Sequence, residues 1–183
     1  MRKIHRLLSS CRRGYFKYLY LCTLNHKIRK IRRKETIRVL FAVAESATWK
    51  NDSLYRAMLM HPGFTPLILV LPDEQKEESL KREGVDTCFD FFRNKGYTCS
   101  YPYENGKLIN IRKALNPDII FYQKPYTYYP ESFLYRRNLN ALFCYTNYAF
   151  HSLLADWANK NDFFQLVWQN YYENESAFTD LKR

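Results

Sequence analysis

Four short apolar runs, each closed by turn residues and separated by helix-length stretches, constrain this chain more than any other feature. The first, Ile37-Arg38-Val39-Leu40-Phe41-Ala42-Val43-Ala44, is β-branched and almost continuously apolar. A strand of that kind belongs inside a sheet covered on both faces, because a half-exposed strand would alternate apolar with polar residues. Thr65-Pro66-Leu67-Ile68-Leu69-Val70-Leu71, Asp118-Ile119-Ile120-Phe121-Tyr122 and Ala141-Leu142-Phe143-Cys144-Tyr145 have the same character. Residues 97–101 add a shorter candidate strand.

Between these runs the periodicity is helical. Asn51 or Asp52 can cap a helix reaching Met60, and His61-Pro62-Gly63 stops it. A charged helix is expected over 73–83, a helical stretch over 87–94 ending at Gly96, another helix over 107–115, and a closing helix over 163–182. Strands alternating with helices predict an α/β domain over residues 35–183, built on a Rossmann-like parallel sheet with flanking helices.

Residues 1–34 are different. The net charge of +11 would point to nucleic acid if it covered the fold, but this segment holds 12 of the 29 Lys and Arg residues and no Asp or Glu. The remainder balances 17 basic against 18 acidic side chains. In the arm, Ile4, Leu7, Leu8, Cys11, Tyr15, Tyr18, Leu19 and Cys22 recur at helical spacing, with Arg2, Lys3, Arg6, Arg12, Arg13 and Lys17 among them. This is a basic amphipathic helix, followed by a second basic run at 27–34 that either adds attraction or serves as a linker. The leading expectation is docking on an anionic membrane surface, with those six cations facing the headgroups. Packing on the fold or on a partner comes next, and nucleic acid ranks last because the neutral body offers no base-reading element. Cations interrupt the apolar pattern, so the arm does not read as a cleaved signal peptide, and no run is long enough to span a membrane. The expected location is cytoplasmic, peripheral at the inner face of the cell membrane.

The five cysteines form no CxxC pair and have no His at ligand spacing, so no metal or disulfide is expected. With five glycines and no GxGxxG or phosphate-binding loop, no nucleotide cofactor is expected in this domain either. In open α/β sheets ligands bind beyond the carboxyl ends of strands. Three loops therefore carry the candidates: Glu45, Ser46 and Trp49; Gln123, Lys124 and Tyr126; Asn147, Tyr148 and His151. Lys124 suits a phosphate, His151 a general base, and Glu45 a hydroxyl of the substrate. Each also has a plain alternative as a surface lysine, a loop histidine and a helix-capping carboxylate.

The ordered segments Ile37-Arg38-Val39-Leu40-Phe41 with Glu45 and Trp49, Ser53-Leu54-Tyr55, Phe91-Phe92 with Lys95-Gly96-Tyr97, Pro117-Asp118-Ile119-Ile120-Phe121-Tyr122-Gln123-Lys124-Pro125-Tyr126, and Cys144-Tyr145-Thr146-Asn147-Tyr148-Ala149-Phe150 resemble the amino-terminal half of the CDP-glycerol glycerophosphotransferase-like family. The resemblance covers roughly residues 36–178. It implies one half of a two-domain GT-B arrangement, and an enzyme moving glycerol phosphate, or a related phospho-polyol or sugar, from a CDP-linked donor to a lipid-linked or polymer acceptor in surface-polymer synthesis. It further implies catalytic roles for His151 and Glu45, with Ser46, Trp49, Gln123, Lys124, Tyr126, Asn147 and Tyr148 contacting substrate. Family members carry a His-Gly element where this chain has Tyr148-Ala149-Phe150-His151. The donor would bind through a carboxyl-terminal domain missing from these residues, which leaves an acceptor-side half, inactive alone. The alternative is a non-catalytic binding module of the same fold.

Overall fold

A computed structural model describes residues 2–124, 128–146 and 163–171. Six parallel strands form one sheet: β1 (Ile37–Val43), β2 (Phe64–Val70), β3 (Cys99–Ser100), β6 (Ile119–Tyr122), β7 (Leu142–Thr146) and β8 (Val167–Tyr171). Their spatial order is β3-β2-β1-β6-β7-β8. The first three strands are joined through α2 (Asp52–Met60) and α3 (Glu78–Asn94), and the order reverses at β1, which pairs with β2 on one side and β6 on the other. The expected Rossmann-like α/β architecture is therefore present.

The continuous apolarity of the strands follows from burial on both faces. Leu40, Ala42, Leu69, Ile120, Tyr122 and Phe143 point into one core, whereas Val39, Phe41, Val43, Ile68, Val70, Phe121 and Cys144 point into the other. Each fully buried large side chain contributes roughly 1.5–3 kcal/mol of burial free energy. The second core is unusually aromatic: Phe41 stacks on Phe121 at 4.8 Å, and Trp49 meets Phe41, Tyr55, Phe92 and Tyr97 edge-on.

Three local expectations are corrected. The separate helical stretches expected at 73–83 and 87–94 are one helix, α3, beginning at Glu78. Gly84 does not break it, because Val85, Cys88 and Phe92 bury one helical face and outweigh a propensity cost of about 1 kcal/mol. The expected helix over 107–115 gives way to a small hairpin, β4 (Tyr103–Glu104) and β5 (Lys107–Leu108), followed by a single helical turn, α4 (Ile111–Ala114). Asn105 and Gly106 both take positive φ, the geometry a two-residue hairpin turn demands. The third correction lies at the carboxyl end, where residues 163–166 form turns and 167–171 are strand β8 instead of a helix. Val167 and the aromatic Trp168 and Tyr171 favour a pleated strand, and the free edge of β7 supplies the hydrogen-bonding partner. Residues 172–182 of that expected helix lie outside the described residues.

The basic arm is helical from Arg2 to Arg32, as α1, so the second basic run continues the helix instead of forming a linker. Nor is α1 separate from the domain. Lys17 donates to Gln165 ahead of β8 at 2.6 Å, Tyr20 stacks on Phe143 at the start of β7 at 5.1 Å, and Lys34 just beyond the helix pairs with Asp118 ahead of β6 at 2.6 Å. These contacts lay α1 across the amino ends of the strands. Tyr20 joins one core, and Ile28 and Ile31 join the other. No described helix is long and apolar enough to cross a membrane.

Candidate functional site

The reversal of strand order between β2 and β6 opens a crevice at the carboxyl end of β1, where adjacent connections leave in opposite directions. Glu45, two residues beyond β1, and Lys124, two residues beyond β6, meet there: the Lys124 ammonium donates to a Glu45 carboxylate oxygen at 2.7 Å. Lys76 stands 4.0 Å from the other oxygen. Ala44, Glu45, Asp73, Gln75, Lys124 and Tyr129, with Tyr128 at the mouth, line a cavity of about 220 Å³.

The hydrogen bond from Lys124, opposed by partial burial and reinforced by the charges of Lys124 and Lys76, holds the Glu45 carboxyl below its ordinary value. Glu45 is thus a fixed carboxylate at neutral pH, suited to accepting hydrogen bonds from hydroxyls and a weak proton acceptor. Lys124 is the complementary point charge for a phosphate. Asp73 is held at the wall by its own turn, its carboxylate accepting from the Gln75 backbone at 3.0 Å. The loop after β2 is tied across the cavity by a 2.7 Å bond from Glu74 N–H to the Tyr128 carbonyl.

The other expected site residues divide. Gln123 is buried, and its amide is committed to the loop after β1: it donates to the Thr48 carbonyl at 3.0 Å and accepts from the Thr48 hydroxyl at 3.4 Å. Trp49 belongs to the aromatic core, with its indole N–H donating to the Tyr97 hydroxyl at 3.3 Å. That hydroxyl in turn donates to Asp52, which pairs with Arg56 at 3.0 Å. Gln123 and Trp49 therefore set the loop that carries Glu45 and do not line the cavity. Ser46 begins the 3-10 turn 46–48, half-buried beside that loop. Tyr126, Asn147, Tyr148 and His151 lie outside the described residues.

Asp73, Gln75 and Lys76 were missed as site residues by sequence reasoning, which assigned Asp73 to a helix start. Their signal was available, since they follow the second apolar run as directly as Glu45 follows the first. Among the described residues no group of His, Cys, Asp and Glu is placed to hold a metal. Burial pushes the Cys88 and Cys144 thiols up to about 12, which makes both packing residues and not nucleophiles.

Along α1, the face opposite Tyr20, Leu24, Ile28 and Ile31 carries Tyr15, Tyr18, Leu19 and Cys22, all solvent-exposed. Of the six expected membrane-facing cations, Lys17 is turned toward Gln165. Arg2, Lys3, Arg6, Arg12 and Arg13 lie on the described helical backbone.

No family model, curated protein or solved structure matches the chain.

Proposed function

We propose that this domain is the acceptor side of a membrane-associated transferase that moves glycerol phosphate, or a related phospho-polyol, from a CDP-linked donor to a surface-polymer acceptor. The observation that carries the reading is the meeting of Glu45 and Lys124 at the strand-order reversal, where a carboxylate for hydroxyls and an ammonium for phosphate share one small crevice. Two carboxylates and a lysine line a cavity that suits a short polyol phosphate, and the sequence resemblance leads to the same substrate class.

In the proposed reaction a hydroxyl of the acceptor attacks the phosphorus that bears glycerol in the CDP-linked donor. The new oxygen–phosphorus bond forms as the bond to the bridging oxygen breaks, and CMP leaves with that electron pair. The hydroxyl proton passes to a base, for which His151 is the candidate, while Glu45 orients the hydroxyl and Lys124 offsets charge on the phosphate. The exposed stripe Tyr15, Tyr18, Leu19 and Cys22 on a strongly basic helix supports docking at an anionic membrane, with the body carried on the opposite face of α1. That orientation suits a membrane-anchored acceptor.

The test is CMP release from CDP-glycerol, with a glycerol-phosphate-primed lipid, by membranes of the native host deleted for the chain and re-expressing it as wild type, Glu45→Gln or Lys124→Met, so that any other part the reaction needs is present. Release above that of chain-free membranes is expected, falling about a hundredfold in both variants, the scale of losing a positioned catalytic group. Wild-type release by both variants, or none above background from the full chain, overturns the reading. The second outcome favours a binding module, which the mutual neutralisation of Glu45 and Lys124 also allows.

A further inference from the structure

At the opposite end of the sheet from the crevice, Arg38 at the start of β1, Arg112 and Lys113 on α4, and Arg137 surround a groove of about 920 Å³. Arg137 is paired with Glu131 at 2.7 Å, whereas the side chains of Arg38, Arg112 and Lys113 have no ion pair among the described residues. Like charges gathered around one concavity repel one another, and an anion bridging them removes that repulsion. The rest of the lining is hydrogen-bonding: Asn110, Asn116, Ser132 and the buried Asn138. The Ser132 hydroxyl is enclosed with no hydrogen-bond partner among the described residues, a state that buried polar atoms seldom keep without a ligand or water. The turn behind it is fixed, since the Asn138 amide donates to the Ser132 carbonyl at 3.2 Å and the Leu134 carbonyl at 2.9 Å.

We infer that this groove binds the phosphodiester backbone of a linear polyol phosphate and holds it apart from the crevice. Three features select that ligand. The unpaired cations match repeated phosphates, and the amide and hydroxyl groups match polyol hydroxyls. No aromatic ring lines the groove, so a nucleic acid finds no surface on which to stack its bases. Apart from Ala114 the lining is polar, so an acyl chain gains nothing by entering. Arg38 and Glu45 stand at the two ends of β1, about 23 Å apart at ~3.3 Å per residue. A single-unit acceptor reaches one of the two sites, and a chain of several units reaches both. The choice of polymer rests on the acceptor reading proposed above. With α1 on the membrane, a polymer rising from a lipid anchor meets the groove before the crevice, so the groove retains the chain between successive additions at its far end.

The test is titration calorimetry of the full chain with an eight-unit glycerol phosphate oligomer, inorganic phosphate, an oligothymidylate of equal charge, and anionic vesicles as separate arms. Variants Arg112→Gln/Lys113→Gln and Arg29→Gln/Arg33→Gln remove equal charge, one pair in the groove and the other on exposed α1 and the residue after it. The glycerol phosphate oligomer is expected to bind in a salt-dependent manner and at least tenfold more weakly to the groove variant, with the α1 variant within twofold of wild type and inorganic phosphate far weaker than the oligomer. Equal losses in the two variants, oligothymidylate binding of the same strength and variant sensitivity, or loss of vesicle binding alone would overturn the assignment. Because no turnover is read, failure here leaves the CMP-release result standing, and failure of turnover leaves this one standing.

Discussion

Lys27 shows how a single residue couples the basic helix to the fold. Its ammonium lies 3.8 Å from the centre of the Tyr20 ring, and partial burial pulls its pKa down to about 8. An unfolded lysine titrates near ~10.4, so between these values the unfolded chain binds more protons than the folded one, and this residue's contribution makes stability rise with pH. The difference in unfolding free energy between wild type and Lys27→Met, measured by urea titration, is expected to change across pH 7.5–10. Parallel curves would contradict the burial account. Cys88 and Cys144, raised to about 12, act in the opposite direction in both proteins and cancel in that difference. Glu45, whose pKa is also lowered, shares the sign of Lys27 at a lower pH: its contribution is present above the unfolded value and lost as pH falls through the folded one. The Glu45 side chain is 40% exposed, so solvent screening keeps the pair with Lys124 below about 1 kcal/mol of stability.

At the scale of elements, Tyr20 is what makes α1 part of the domain. It is 1% exposed and stacks within 5° of parallel on Phe143, with Leu24, Ile28 and Ile31 continuing the contact. Tyr20→Ala is expected to cost about 3 kcal/mol, the usual scale for emptying a buried aromatic position, and a loss below about 1 kcal/mol in urea unfolding would mean that α1 does not brace the sheet. The sequence disclosed the strands of this sheet well, because Ile37–Val43 and Phe64–Val70 are too apolar to sit anywhere but between two cores. It disclosed the docked face of α1 poorly. The apolar repeat through Tyr15, Tyr18, Leu19 and Cys22 was the conspicuous one, and it is the outer face; the inner face uses Tyr20 and Leu24, with the Lys27 ammonium over the Tyr20 ring. Strand β8 was hidden for another reason, since Phe163, Phe164, Val167 and Trp168 fit helical spacing and only the open edge of β7 decides for a strand. The meeting of Glu45 and Lys124 was legible as two separate loop ends, but their contact depends on β1 and β6 being neighbours, which is a matter of topology.

Across the whole molecule the two ends of the sheet differ in kind. The carboxyl ends carry a small crevice lined by two carboxylates and a lysine, and the amino ends carry α1 and a larger cationic groove. The outer stripe of α1 is the part expected to touch lipid. Replacing Tyr15, Tyr18 and Leu19 with Ser should weaken sedimentation with anionic vesicles at least about tenfold, because losing several apolar side chains from the interface exceeds ~1.4 kcal/mol. As exposed positions they should leave folding stability within about 0.5 kcal/mol of wild type. Unchanged sedimentation would remove the membrane from the account and return α1 to a purely structural role. The central claim is that the Glu45–Lys124 crevice holds the end of a polyol phosphate, and phosphorus NMR of a single-unit glycerol phosphate acceptor titrated with the purified full chain tests it most directly. A saturable shift that vanishes in Lys124→Met and survives in Arg112→Gln/Lys113→Gln is the predicted result; no shift with wild type, or the same shift in Lys124→Met, would contradict it.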